Sequence, residues 1–273
     1  MTNLFSTLLA KESLCRLVDK IKTLPSLPAL YRELTEELQS PDASIENTAR
    51  IISKDMGMTT KILQLVNAPF YGLRTLITSP TKAVAFLGLD QIRPLVLSMQ
   101  VFSQFRESQH PFFSLEVLWR HGLVTGTYAR AIAKEEQVPQ DLIDATFTAG
   151  LLHDIGILIL STNLPGRYTD ALALMLDRGI AEWEAECEVF GASHGEVGGY
   201  LLGAWGLSDE VVEAVAFHHE PMRSVGQPFS PLAAVHIANA LVEQEEASAM
   251  GGTYTAVDLD YLVSCGLADR LPA

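Results

Sequence analysis

Apolar side chains follow a helical period rather than a strand period along nearly all of this 273-residue chain. Leu27, Leu30, Leu34 and Leu38, for example, recur every three or four residues, which places them on one face of a helix. Hydrophobic residues make up 48% of the sequence, enough for a sizeable core. The pattern therefore predicts an all-α fold, a bundle of many helices of ordinary length.

A polar stretch at residues 104–113, which contains His110-Pro111, interrupts the helical pattern. We interpret it as the boundary between two helical halves and expect the N-terminal half to pack on the C-terminal half. His110 itself is interpreted as a loop residue. The sequence predicts four segments: a helical lead-in at residues 1–18, an N-terminal half at 19–106, a C-terminal half at 107–245 and a tail at 246–273.

Charge and cysteine usage narrow the class of protein. The 19 Lys and Arg residues against 33 Asp and Glu residues give a formal charge of -14, which repels phosphate backbones, so a nucleic-acid partner is not expected. Cys15, Cys187 and Cys265 show no C-x-x-C spacing and fit a reducing cytoplasm. We find no apolar stretch that reaches the roughly 18 residues of a membrane span. A soluble, cytoplasmic protein without a membrane partner is predicted.

One polar pair stands inside the most apolar part of the chain. His153-Asp154 lies within residues 151–160, where nearly every other side chain is apolar. A buried carboxylate is strongly disfavoured unless an ion, a hydrogen-bond network or a shifted protonation state compensates for it. We expect residues 140–160 to form one central, buried helix that carries the pair.

Other histidines can supply partners for this pair. His121 precedes it, and His194, His218 and His236 follow on later predicted helices. Imidazole and carboxylate groups suit zinc, iron or manganese, and an ion with an open position can activate water for attack on phosphorus. On a continuous helix, adjacent side chains point about 100° apart, so both members of the pair serve as ligands only if one ion lies near the edge between their directions or if Asp154 bridges two metals. Any single histidine here also fits an ordinary core or helix-end role.

Some polar residues have a simpler interpretation. The acidic run from Glu182 to Glu188 alternates over two faces of a predicted helix and reads as a solvated face, with partner docking as the lesser alternative. His219 and Glu220 precede Pro221, which ends a helix, so both are interpreted as solvated residues at that end.

The order of the histidines resembles the HD superfamily of metal-dependent phosphohydrolases. More specific motifs are similar to its HDOD branch: LPSLP at 24–28, IISKD at 51–55, KILQLVNAPFYG at 61–72, AVAFLGL at 83–89, LWRH at 118–121, GLLHDIG at 150–156 and WGL at 205–207. The similarity covers roughly residues 19–245. It implies a bacterial, all-helical signalling or regulatory module of the HD-like kind, often with an incomplete phosphohydrolase centre.

The chain departs from the superfamily pattern in three places. Asn239 stands where the last metal ligand is usually an aspartate, and it offers a carbonyl oxygen without a charge. Ile157 stands where the cyclic di-GMP phosphodiesterases carry a lysine, and their Gly-Tyr-Pro motif is absent after the two adjacent histidines. Asn239 reduces the stabilisation of a metal ion, and Ile157 with the missing motif reduces that of a phosphate oxyanion. The candidate metal ligands are His121, His153, Asp154, His194, His218 and Asn239.

Three functions follow from these residues. We favour a regulatory protein of signal transduction that binds a protein supplied in trans or a small signalling ligand, with a degenerate centre that carries no enzymatic activity. The alternative is a metal-dependent phosphohydrolase of nucleotides or cyclic dinucleotides, in which His153 and Asp154 would be catalytic and the divalent metal would be Fe, Mn, Zn or Mg. The third is a ligand sensor whose pocket lies between the two helical halves, for which nucleotides are the ligands to screen.

Overall fold

The computed structural model describes residues 8–21, 24–105, 114–224, 229–250 and 255–268. Every α or β element within these ranges is a helix, which confirms the predicted all-α class. The predicted polar break falls mostly outside the described residues, and so does His110. The helices are α1 (Glu12–Val18), α2 (Ala29–Gln39), α3 (Ile45–Ile52), α4 (Met56–Val66), α5 (Pro80–Leu87), α6 (Leu89–Gln104), α7 (Leu115–Glu135), α8 (Gln140–Leu152), α9 (Ile155–Asn163), α10 (Pro165–Arg178), α11 (Glu182–Phe190), α12 (His194–Ala204), α13 (Asp209–Phe217), α14 (Pro231–Met250) and α15 (Leu259–Ser264).

The chain forms two compact units. The smaller unit comprises residues 25–107 and contains α2–α6. Ser44 caps α3 by accepting a hydrogen bond from the Asn47 amide at 3.1 Å, which satisfies one of the free amides at the start of the helix. The Asn67 side chain bonds the amide and the carbonyl of Ile77, both at 2.8 Å, and so holds the loop after α4.

The larger unit comprises residues 1–24 and 108–273, with α1 and α7–α15. Its first segment is attached by polar contacts: the Lys11 ammonium lies 2.5 Å from the fully buried Glu196 carboxylate, and Ser13 donates a hydrogen bond to the Gly191 carbonyl at 2.7 Å. A buried carboxylate needs such a counter-charge. All the candidate site residues lie in this larger unit, which also contains α1.

The prediction of one continuous helix over residues 140–160 is wrong. α8 ends at Leu152 and α9 begins at Ile155, with a turn at His153 and Asp154. The start of α9 lies close against α12, since a Cβ atom at Gly156 would lie 1.9 Å from the His194 carbonyl oxygen. The start of α9 can approach the start of α12 this closely only with a glycine there.

The expectation that no apolar stretch reaches the length of a membrane span is also wrong. Among the described residues, Gln140–Asn163, taken across the turn, is long and apolar enough by composition. However, 78% of the apolar window is buried inside the protein. This burial is what the core of a water-soluble protein requires, and it explains the hydropathy of the segment.

Candidate metal centre

The turn between α8 and α9 places His153 and Asp154 side by side. His153 is fully buried, and its Nδ1 lies 2.8 Å from the Gly150 carbonyl oxygen. Since a carbonyl can only accept, Nδ1 carries the proton and Nε2 keeps its lone pair. This Nε2 lies 3.2 Å from Asp154 Oδ2 and has no hydrogen-bond partner among the described residues.

His218 repeats this arrangement at the end of α13. Its Nδ1 donates to the Val215 carbonyl at 2.8 Å, and its buried Nε2 lies 3.7 Å from Asp154 Oδ1. Burial, together with the neighbouring His153 and His194, lowers the pKa of His218 well below its usual value, so the ring is neutral. In the described part of the chain this Nε2 also has no hydrogen-bond partner. Two free lone pairs therefore face one carboxylate.

His194, the first residue of α12, is oriented by a carboxylate. Glu186 Oε2 accepts from the His194 backbone amide at 2.6 Å and lies 2.7 Å from His194 Nδ1. The His194 Nε2 atom lies 3.3 Å from Asp154 Oδ1. Burial lowers the pKa of His194, but the charges of Glu186 and Asp154 outweigh it and raise the pKa well above its usual value. Without an ion, His194 therefore takes a proton that a metal would displace.

The structure corrects the interpretation of the acidic run as a solvated face. Glu184 and Glu188 are exposed as expected, whereas Glu186 is fully buried and Glu182 is partly buried. The residue that sequence reasoning missed is thus Glu186. Its spacing of four from the buried Phe190, on one face of α11, is the signal that could have found it.

His219 is also placed differently from the prediction. Its Nε2 lies 3.1 Å from His194 Nε2, and its ring stacks on Trp183 with centroids 6.0 Å apart. Burial, then the neighbouring His218 and His194, lowers the pKa of His219 well below its usual value. The prediction of a solvated helix-end residue is wrong, because the side chain faces the centre.

His121 and Asn239 meet on the other side of Asp154. The His121 Nε2 lies 3.0 Å from Asn239 Oδ1, and its Nδ1 lies 3.2 Å from Glu246 Oε2. Asn239 turns its carbonyl to His121 because its amide donates to Glu243 at 2.7 Å. Burial lowers the pKa of His121, but the hydrogen bond to Glu246 and the Asp154 charge outweigh it and raise the pKa to about 9. Without an ion, both ring nitrogens therefore donate, and a metal at Nε2 would have to displace one proton, as at His194.

His236 has the core role that was left open for it. Its Nδ1 donates to the His218 carbonyl at 2.7 Å, and its Nε2 accepts from the Asp258 amide at 2.8 Å. Both nitrogens are thus engaged away from Asp154. His236 supports the backbone of His218 and attaches the C-terminal segment to α14.

The possible ligand atoms around Asp154 fall into two groups, one at each of its oxygens. Ligands at 2.0–2.1 Å from a metal lie about 3.0–3.4 Å apart, and the His194 Nε2 atom lies 3.3 Å from Asp154 Oδ1. The ligand atoms of Asp154, His194, His218 and His219 all fall within 4.8 Å of one another. The second group, His121, His153 and Asp154, meets at Oδ2, with the two Nε2 atoms 3.6 and 3.2 Å from that oxygen.

The centre is enclosed by the fold. His153, His218 and His194 are 0%, 1% and 3% exposed, and the Asp154 side chain is 14% exposed. Ile157, which stands where a phosphodiesterase lysine would be, is also buried. Of these groups, the Asp154 carboxylate is the one most open to solvent.

Comparisons with known proteins agree with this architecture. A family model described as the HDOD domain matches residues 24–221. A solved structure of a candidate phosphohydrolase from Shewanella amazonensis SB2B is 21% identical, with a TM-score of 0.71, and the match covers 96% of this chain and 94% of that one. A candidate signal transduction protein from Marinobacter aquaeolei VT8 is 18% identical, with a TM-score of 0.74, over 98% of this chain and 62% of that one. Identities this low show the shared fold alone.

A curated relative is longer than this chain. An uncharacterized protein of Treponema pallidum (strain Nichols) is 26% identical over 203 residues, which is 74% of this chain and 39% of the relative. The chain therefore spans about two fifths of the length of the curated relative it matches.

Proposed function

This chain belongs to the HDOD domain family, and from that premise we propose that it is a regulatory protein of signal transduction that binds a protein or a small ligand and does not turn over phosphoesters. The fold shared with the candidate signal transduction protein of Marinobacter aquaeolei supports a signalling role. The intact helical frame around a depleted polar centre supports a binding role.

The observation that carries the proposal is the hydrogen bond between Asn239 and His121. At 3.0 Å it engages the carbonyl of the residue that stands in the place of an acidic ligand. The same bond engages the His121 Nε2 atom, and the other ring nitrogen already faces Glu246. This side of the centre thus lacks the charge of an acidic ligand, and without an ion both nitrogens of His121 are engaged in hydrogen bonds.

The other side retains the residues for one ion. Asp154, His194, His218 and His219 would hold it, since their ligand atoms lie within 4.8 Å of one another, and His153 lies next to them at the other oxygen of Asp154. Three imidazoles and one carboxylate favour iron, manganese or zinc over magnesium. A bound ion would supply Lewis acidity and would join the turn after α8 to α12 and α13, so in this proposal it is a structural element of the larger unit.

The second candidate is a metal-dependent phosphohydrolase of nucleotides or cyclic dinucleotides. The unpartnered Nε2 atoms of His153 and His218, facing Asp154, favour it. So does the fold shared with the candidate phosphohydrolase of Shewanella amazonensis. In that case His153 and Asp154 would hold the ion that activates water.

Hydrolysis assays separate the two candidates. Purified protein supplied with manganese or iron is incubated with a panel of nucleotides, cyclic dinucleotides and simple phosphoesters, beside a His153→Ala variant. We expect no turnover that depends on both the metal and His153, together with a rise in melting temperature for any member that binds as a ligand. Metal- and His153-dependent turnover at an ordinary enzymatic rate, on the order of 1 per second or more, would contradict the regulatory proposal and support the second candidate.

A further inference from the structure

Glu186 differs from the other acidic residues of α11 in both position and contacts. It is fully buried, whereas Glu184 and Glu188 on the same helix are exposed. Burying a carboxylate is expensive unless a positive partner compensates for it. Its contacts all point in one direction, toward His194 at the start of α12.

One oxygen of Glu186 holds His194 at two atoms. Oε2 accepts one hydrogen bond from the His194 backbone amide at 2.6 Å and a second from the His194 ring nitrogen Nδ1 at 2.7 Å. The first bond satisfies an amide of the opening turn of α12, which has no partner within its own helix. The second places a proton on Nδ1, so that Nε2 is the ring nitrogen that faces Asp154 at 3.3 Å.

The other histidines of the centre lack this arrangement. His153 and His218 are oriented by neutral backbone carbonyls, those of Gly150 and Val215. A carboxylate raises the basicity of the imidazole it bonds, and such partners of metal-ligating histidines contribute strongly to metal affinity. His121 also has a carboxylate partner, Glu246, but its remaining nitrogen faces Asn239.

We propose that Glu186 is a positioning residue of the metal centre, which fixes the ring and the tautomer of His194 so that its Nε2 serves as a metal ligand. This inference rests on the metal binding proposed above. It accounts for a buried negative charge whose second oxygen, Oε1, has no hydrogen-bond partner among the described residues. A neutral glutamine could cap the helix equally well, whereas the carboxylate also adds attraction to a dication in the centre.

Cobalt binding tests the proposal, because Co²⁺ reports both its affinity and its ligand field by visible absorption. Metal-free protein is titrated with Co²⁺ as wild type, Glu186→Gln and Glu188→Gln. The last variant removes an exposed carboxylate two residues away on the same helix. Glu186→Gln is expected to weaken Co²⁺ binding about 10- to 100-fold and to change the visible spectrum. Glu188→Gln is expected to match wild type.

A double-variant comparison separates positioning from general attraction by charge. If Glu186 acts through His194, Glu186→Gln has no further effect on Co²⁺ affinity in a His194→Gln background. Should Glu186→Gln fail to fold by circular dichroism, Glu186→Asp keeps the charge but shortens the reach, and weaker binding is expected again. Wild-type affinity and spectrum in the folded Glu186 variant would overturn this inference alone. A wild-type protein that binds no Co²⁺ would overturn both this inference and the proposed metal binding, while the hydrolysis result would still judge the regulatory role.

Discussion

At the residue scale, the chemistry of the centre depends on which nitrogen of each histidine is engaged in a hydrogen bond. His153 and His218 donate from Nδ1 to a carbonyl three residues earlier and keep Nε2 free. His194 donates from Nδ1 to Glu186, while its Nε2 lies 3.1 Å from His219 Nε2. His121 differs, because Asn239 and Glu246 engage both of its nitrogens. Four histidines at similar distances from Asp154 are therefore not equivalent as ligands.

Replacing Asn239 with aspartate is expected to restore metal binding on the side of the centre that contains His121. The new carboxylate would face His121 and could join the group of His121, His153 and Asp154. Metal analysis of purified protein should show a second ion, with an affinity about tenfold or more above that of wild type at this side, since carboxylate count governs such affinity. Without metal, the variant should melt at a lower temperature, because Glu243 lies next to the new charge.

The control for that variant is Asn239→Ala, which removes the carbonyl without adding a charge. It should show no second ion. If Asn239→Asp gained no metal either, the missing charge would not be what limits this side of the centre.

Glu182 provides a pH-dependent prediction. Burial, and then the charge of Glu186, raises the pKa of Glu182 from 4.5 to about 7. Because the folded-state pKa is the higher one, the stability from this group is complete below pH 4.5 and is lost as the pH rises through about 7. Glu182→Gln keeps an acceptor for the Tyr168 hydroxyl and removes the charge.

Thermal melting of metal-free protein checks the direction of this pH dependence of stability. The gain in melting temperature of Glu182→Gln over wild type should be larger near about pH 8 than near about pH 5, at roughly 2–4 °C for each kcal/mol. The exposed Glu184→Gln should show no such difference. An equal gain at both pH values would mean that Glu182 titrates normally.

Sequence reasoning found the histidines of the centre but not the carboxylate that orients one of them. His153 and Asp154 stood out because polar groups are rare in an apolar run. Glu186 did not, because it lies in an alternating acidic run where a solvated face is the commoner outcome. His219 was missed because proximity to Pro221 indicated the end of a helix but not the direction of the side chain. Contacts between helices decided both cases.

At the element scale, the close approach of α9 and α12 fixes the geometry of the centre. The α8–α9 turn supplies His153 and Asp154, and α12 begins with His194. Because a Cβ at Gly156 would meet the His194 carbonyl at 1.9 Å, Gly156→Ala must push these helix ends apart. We expect a loss of about 3 kcal/mol or more in the free energy of unfolding, as for an overpacked core.

Gly166→Ala in α10 is the matched control. The described residues have no atom within 4 Å of the added Cβ, so its stability should stay within about 1 kcal/mol of wild type or rise. Denaturant unfolding of the two variants gives the comparison. A Gly156→Ala protein as stable as Gly166→Ala would show that the helix ends are not packed as described.

The helical class was readable from the sequence, whereas the course of its most buried segment was not. Periodicity predicts a helix where one face is apolar, but residues 151–160 are apolar nearly all round and give no periodic signal. Just after the turn at His153 and Asp154, Gly156 packs against α12, which lies about 40 residues further along the chain. The local sequence therefore indicates that residues 151–160 are buried, but it does not indicate the turn between α8 and α9.

At the scale of the whole molecule, the charge of -14 governs which partners can approach. Such a surface repels nucleic-acid backbones at long range. We expect no shift of duplex DNA or RNA in gel mobility assays at about 0.1 M salt. Binding that strengthens as salt is lowered would contradict this expectation and would indicate a local basic surface.

We predict that the centre holds one metal ion on the side of His194 and none on the side of Asn239, where the acidic ligand is missing. The most direct test is anomalous diffraction from crystals of the protein loaded with manganese. The predicted result is one ion per chain, contacted by Asp154, His194, His218 and His219, with none at His121, His153 and Asn239. Two ions that share Asp154, with His121 ligating one of them, would contradict the account and would indicate a complete phosphohydrolase centre.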